Sequence, residues 1–291
     1  MRNMTRMSKP VAIVTDSTAY IPKELAAAHQ IFVVPNVVNW GEKSYRDGVD
    51  IGAVEFFERL KVDPVQPTTS VASLGEMKEI YAAAAASAEA VVGLHLSSKL
   101  SNTFKVAQEA AALLPEKKIQ VVDSQVTAMA LGFLVLAAAK AAAEGRSTDA
   151  IISLTESLIP RVGVLLTPDT LKYLQRGGRI GGAQAFIGGV LDLKPILELK
   201  DGVIQPLERV RSRKKALSRL VELAVERLAG KSSVRLGVIH AAAEAEAREV
   251  LEMAKARLGS AVVETILTDV SPTVAVHTGP GTIGFTFGEG F

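Results

Sequence analysis

The chain reads as an α/β protein of two domains. A mostly parallel sheet with helices on both faces occupies residues 1–160, and an α+β domain with a mixed sheet occupies residues 161–291. Three observations predict this. Short apolar runs alternate with helix-like segments through the first half, the pattern of βαβ units. After Pro160 the order changes, and Asp201-Gly202 between two extended runs signals a hairpin, which a purely parallel sheet does not contain. A length of 291 residues, 48% of them hydrophobic, is enough for two domains with real cores.

In chain order, Val11–Thr15 is a strand ending at Asp16-Ser17-Thr18, and Pro22 opens a helix to Ala28, as proline does well in a first turn. Ile31–Val38 is a second strand, with turns at Gly41 and Asp47-Gly48. A helix over Ala53–Leu60 closes before Pro64, and Pro67-Thr68-Thr69-Ser70 is a polar loop before a helix over Leu74–Ala86. Ala90–Leu96 and Ile119–Val122 are strands, each followed by a polar loop and a helix. The helices are Ser101–Leu114, Ala128–Ala143 and Thr148–Leu158. In the second half Val162–Leu166 is a strand, a short helix ends at Gly177-Gly178, and Gly181-Gly182 and Gly188-Gly189 bracket another. Ile196–Lys200 and Val203–Leu207 flank the hairpin turn. Leu217, Leu220, Val221, Ala224 and Leu228 have helical spacing, which predicts a helix over Ala216–Leu228. Strands at Leu236–Ile239 and Val262–Leu267 bracket a helix over Glu244–Leu258, and a glycine-rich tail runs from Val274 to Gly281.

Composition narrows the function. Charged residues at 22% argue against wholesale disorder, and a net charge of +2 with no basic module argues against nucleic acid. Aromatic residues at 5% do not suit a stacking platform. The absence of cysteine excludes thiol catalysis and Cys-ligated metal, and the four histidines show no paired ligand spacing, so no metal or cofactor is expected. The N-terminus has no signal-like apolar run. The most apolar stretch, Ala128–Ala143, is interrupted by Lys140 and falls short of the ~20 residues that cross a bilayer. The expectation is a soluble cytoplasmic protein without an integral membrane segment. No Walker loop, G-x-G-x-x-G, H-E-x-x-H or G-x-S-x-G occurs.

The candidate residues lie in loops. In open α/β sheets the ligand crevice lies outside the C-terminal ends of the strands, which here carry Asp16–Thr18, Ser97–Asn102 and Asp123-Ser124. Thr69, Ser70 and Ser73, and the run Ser97–Thr103, are hydroxyl-rich and precede helices. They read either as helix N-caps or as an anion site of hydroxyls and free N–H groups. Arg179, after Gly177-Gly178, is either solvated or a fork presented to an anion. His277 precedes the tight turn Thr278-Gly279-Pro280-Gly281. Arg211, Arg213, Lys214 and Lys215 crowd a helix start, as a solvated face or a docking patch for an acidic partner. Asp16, Ser17 and His277 could make a hydrolytic set only if the fold joined them.

Several segments together resemble the DegV family of bacterial fatty-acid-binding proteins. They are Val14–Thr18, Thr69-Ser70, Leu96–Thr103, Val122–Ser124, Thr170–Ile180, Leu193–Ile196 and His277–Gly281, in the family's order across nearly the whole chain. The resemblance implies a two-domain α/β fold holding a long-chain fatty acid in an apolar slot, and no catalysis by the chain itself. It implies that Thr69 and Ser98 bind the carboxylate, with Arg179 and His277 at the mouth and Ser17, Ser70, Ser101, Asn102 and Thr103 in supporting loops. There a separate fatty acid kinase would form an acyl phosphate for phospholipid synthesis. The sequence departs from the family at Val71-Ala72, where Gln-Pro is usual, and at Asn102, where glycine is usual; asparagine tolerates a left-handed backbone there. The residues themselves leave open a stand-alone enzyme acting on a small phosphorylated or acyl substrate through Arg179 and the His277 tail.

Overall fold

The computed structural model describes residues 9–187 and 193–291. The expected glycine pair Gly188-Gly189 lies outside the described residues. In chain order the elements of the first half are β1 (Lys9–Asp16), α1 (Lys23–Ala28), β2 (Phe32–Val34), β3 (Val37–Trp40), β4 (Lys43–Arg46), α2 (Ala53–Val62), β5 (Thr68–Ser70), α3 (Leu74–Ser87), β6 (Ala88–His95), α4 (Thr103–Ala112), β7 (Lys118–Asp123), α5 (Ala128–Ala143) and α6 (Thr148–Leu158). Then follow β8 (Val162–Thr167), α7 (Lys172–Arg176), β9 (Lys194–Lys200), β10 (Val203–Val210), α8 (Arg213–Leu228), β11 (Val234–His240), α9 (Glu244–Leu258), β12 (Val262–Asp269), α10 (Pro272–Thr278) and β13 (Ile283–Glu289).

The first sheet is parallel throughout, in the order β2-β1-β6-β7. Its central strands are buried on both faces, as a near-continuous apolar run requires. On β1, Val11 and Ile13 enter one core while Ala12 and Val14 enter another. The second sheet is mixed, in the order β10-β9-β8-β13-β11-β12. Its β9–β10 hairpin turns at Asp201 and Gly202, with φ of 51° and 79°. Positive φ at both central residues is what the tight hairpin turn demands, and Asp-Gly supplies it.

Helix α5 lies between these sheets, against β1 on one side and β8, β11 and β13 on the other. Thirteen of its 16 residues are buried, which explains a segment hydrophobic on every side. Lys140 sits at its exposed end. No helix among the described residues is long and apolar enough to cross a membrane. One apolar cluster joins Val11 and Ile13 of the first sheet to Val164, Leu166 and Ile239 of the second, so the core is continuous past Pro160. Helices α8 and α9 cover the other face of the second sheet through Leu220, Val221, Val250 and Leu251.

Five expectations are corrected. Pro35-Asn36 divides the single strand expected over Ile31–Val38 into β2 and β3, which join different sheets. The expected polar loop Pro67–Ser70 carries β5, an edge strand of a small antiparallel sheet in the order β4-β3-β5, with Thr69 opposite Val38. The glycine-rich tail expected over Val274–Gly281 is mostly the helix α10, and beyond it β13, for which no element is expected, sits in the interior of the second sheet between β8 and β11. Asn102 adopts φ −78° and ψ 4°, so its tolerance of a left-handed backbone is not used. Arg213, one of the basic residues at the start of α8, is turned inward: its guanidinium pairs with Glu246 and donates to the carbonyls of Thr167 and Gly281.

Candidate functional site

Between the two sheets lies a cavity of about 350 Å³, within the range of small-ligand sites. Its apolar wall is the inward face of the second sheet, with Val164, Leu166, Leu199, Ile204 and Ile239. Period-two alternation places them there: Leu165, between Val164 and Leu166, enters the core under α8 and α9 instead. The other end is polar. Thr69 and Ser70 reach it from β5, Ser101 and Asn102 from the loop after β6, Arg179 from beyond α7, and His277 from α10. Ser70 and Asn102 are exposed, so the polar end opens to the surface.

Thr69 and His277, 208 residues apart, are joined by a hydrogen bond of 2.8 Å between Oγ1 and Nε2. Burial, with the positive charges of Arg179 and Arg176, pulls the His277 imidazole down to about 4, so it is neutral at pH 7. The His277 Nδ1 is buried without a hydrogen-bond partner. Arg179 donates through Nε to the carbonyl of Leu100 at 3.0 Å and through Nη1 to that of Gly177 at 2.6 Å. Both acceptors are neutral, and among the described residues the guanidinium has no carboxylate partner. A half-buried cation held by carbonyls and faced by hydroxyls suits an anion.

Behind the mouth is a buried network. Asp16, at the end of β1, accepts from the Thr18 N–H and hydroxyl, from Asn36 Nδ2, from His95 Nδ1 at 3.1 Å and from the Leu96 N–H. Burial alone would raise this carboxyl, but the hydrogen bond and electrostatic attraction of His95, with Thr18 and Leu96, hold it below its ordinary value. Asn36 in turn accepts from Thr103 Oγ1, which shares a 2.8 Å hydrogen bond with Ser101 Oγ. Ser17 donates to Asp47 at 2.7 Å and accepts from the Asn36 N–H.

Six of the expected site residues therefore line the cavity: Thr69, Ser70, Ser101, Asn102, Arg179 and His277. Ser17 and Thr103 lie behind the wall and position it. Ser98 is not among the residues lining the cavity: it is exposed, and its Oγ donates to Asp123 Oδ2 at 2.5 Å. Ser101, three residues on, takes the place on the wall. Ser73 is a helix cap, forming a capping box with Glu76. Asp16 and Ser17 share Asn36, while His277 is bonded to Thr69, so the three form no hydrolytic set. Tyr20 and Asn36 also line the cavity and were not expected; a lone Asn after a proline at a strand break carries no sequence signal of its own.

Gly177 packs against the imidazole, since a Cβ there would stand 2.1 Å from His277 Nδ1. Gly177→Ala has an ordinary backbone to adopt, with φ −76°, and should fold. It should displace the ring from Thr69 and move the His277 titration from about 4 toward 6.5, read by NMR of the imidazole. An unmoved titration would refute this packing.

The same architecture recurs in known proteins. The family described as "Uncharacterised protein, DegV family" matches residues 10–289. Protein DegV of Bacillus subtilis is 38% identical over 275 residues, covering 94% of this chain and 97% of that protein. The crystal structure of the Bacillus subtilis DegV, described as a fatty acid binding protein, superposes with a TM-score of 0.90 at 37% identity, covering 97% of this chain and 100% of that one. A DegV family protein from Thermus thermophilus, described by its fatty acid binding, gives a TM-score of 0.91 at 34% identity, over 96% of this chain and 99% of that one. The fold is thus shared with these proteins, and the chain belongs to the DegV family.

Proposed function

We propose that the protein binds one long-chain fatty acid in the cavity between its sheets, carboxylate at the mouth, and presents it to a separate fatty acid kinase. The observation that carries this is the cavity's polarity: an apolar wall of Val, Leu and Ile ending in Thr69, Ser101 and an Arg179 that has no acidic partner among the described residues. A buried carboxylate needs hydrogen bonds to its oxygens, and the acyl chain contributes about 0.8 kcal/mol per buried CH₂. Fatty-acid binding by structures sharing 34% and 37% identity with this chain supports the same reading. We assign the carboxylate to Thr69 and Ser101, with Arg179 and His277 beside it.

The open polar end supports the kinase role, because it leaves the carboxylate rather than the methyl end within reach of a partner. A cytoplasmic carrier is the reading that goes with such a kinase partner. Arg179 and neutral His277 stand at the polar end, where they would contact the phosphoryl group as it passes from the kinase's nucleotide to the carboxylate oxygen. The stand-alone enzyme is the weaker reading: Thr69 and His277 have the spacing of nucleophile and base, but Nδ1 has no group to orient it.

Mass spectrometry of an organic extract of the purified protein should recover a fatty acid at near one per chain. The double variant Thr69→Val, Ser101→Ala should lose affinity by on the order of 100-fold, the cost of an unsatisfied buried carboxylate. Ser98→Ala should bind as the parent does. If the double variant stays within about threefold of the parent, the carboxylate assignment is wrong.

A further inference from the structure

We propose that Gly284 determines which acyl chains the cavity accepts, by presenting bare backbone where a side chain would fill the slot. This rests on the fatty-acid reading and adds to it a residue that sets selectivity.

Gly284 lies in β13, where Ile283, Phe285 and Phe287 point into the core under α8 and α9 while Gly284 lines the cavity. In register it stands between Leu166 of β8 and Ile239 of β11, and both of these also line the cavity. One row across the sheet is therefore large, bare, large: a notch one residue wide. Two residues on, Thr286 is fully buried, so the notch closes in that direction.

Packing does not require a glycine there. Three other glycines of this sheet are forced by their neighbours. A Cβ would meet Phe287 at 2.2 Å from Gly163, Thr286 Oγ1 at 2.3 Å from Gly237, and Phe291 at 2.5 Å from Gly288. At Gly284 the nearest atom would be Ile239 Cβ at 3.7 Å, an ordinary contact, and its φ is not positive. Glycine in a strand interior weakens the strand relative to alanine and leaves nothing to pack. What an added side chain would occupy is the slot itself.

Gly284→Ala and Gly284→Val in the full chain separate the two roles, with octanoate and octadecanoate as probes and the melting temperature of the ligand-free protein as a control. The melting temperature should hold or rise. Octadecanoate affinity should fall by about fourfold for alanine and on the order of tenfold for valine, as one and then about two buried methylenes are displaced. Octanoate should lose less than octadecanoate in both. Unchanged octadecanoate affinity in both variants, or equal losses for the two acids with a lowered melting temperature, would overturn the assignment. If the parent chain binds neither acid, the fatty-acid reading falls and this inference with it. Should the valine variant not fold, the alanine variant carries the same comparison.

Discussion

Asp16→Ala should destabilise the protein by about 3–5 kcal/mol, the cost of removing one partner from a buried ionic network. The carboxylate is fully buried and accepts five hydrogen bonds. Alanine strands two backbone N–H groups, a hydroxyl, an amide and His95 at once, and each unsatisfied buried group costs about 1–3 kcal/mol before relaxation. The melting temperature should drop by roughly 5–15 °C. Because the folded Asp16 titrates below its ordinary 3.8, its contribution is fully present above that value and is lost as pH falls through the folded one. The difference between parent and variant should therefore shrink in acid. A variant as stable as the parent at pH 7 would mean that the network does not hold the β1 and β6 ends together.

The second large effect is a reversal of slope. Asp47 is 2% exposed; burial raises its carboxyl to about 6 against the opposing hydrogen bond from Ser17, and its Oδ1 has no partner. Folding thus favours protonated Asp47, and the stability it contributes is lost as pH rises from 3.8 to about 6. His277 behaves in the opposite sense. Its depressed value makes the folded state prefer the neutral ring, so stability is gained as pH rises from about 4 to 6.5. Each swing is worth about 3 kcal/mol, and in the ligand-free parent they largely cancel. Asp47→Asn should leave a protein whose stability climbs between pH 4 and 6.5, and His277→Gln one whose stability falls between pH 4 and 6. Urea unfolding at several pH values reads this directly, and parallel profiles for the two variants would sink it.

The parallel sheet was legible because its strands are apolar on both faces and separated by helices with clear periods. The hairpin was legible because Asp201-Gly202 has one structural use. The small sheet was not: β5 is three polar residues at an edge, and nothing apolar marks it. Strand β13 was not expected for a different reason: its apolar alternation is interrupted by Gly284, which lines the cavity, and Gly288, where a Cβ would meet Phe291. The hydroxyl loops lie at the end of the sheet where the cavity's polar residues gather, yet Ser98 and Ser101 are chemically alike. Only the path after β6 decides that one meets Asp123 and the other the cavity. The pairs Asp16–His95 and Thr69–His277 lie 79 and 208 residues apart, beyond any local pattern.

The place of β13 has a consequence for how the chain is made. Strands β8 and β11 do not pair with each other; each pairs with β13, which leaves the ribosome after both. Until Ile283–Glu289 emerge, β10-β9-β8 and β11-β12 are separate ribbons, each with an unpaired edge open to other chains. Non-local pairing of this kind is slow and exposes the growing chain to misassembly. The notch at Gly284 arrives on the same strand, so the acyl slot is completed by the step that closes the sheet. A fatty acid therefore has no finished site on the unfinished chain, and binding follows folding instead of guiding it.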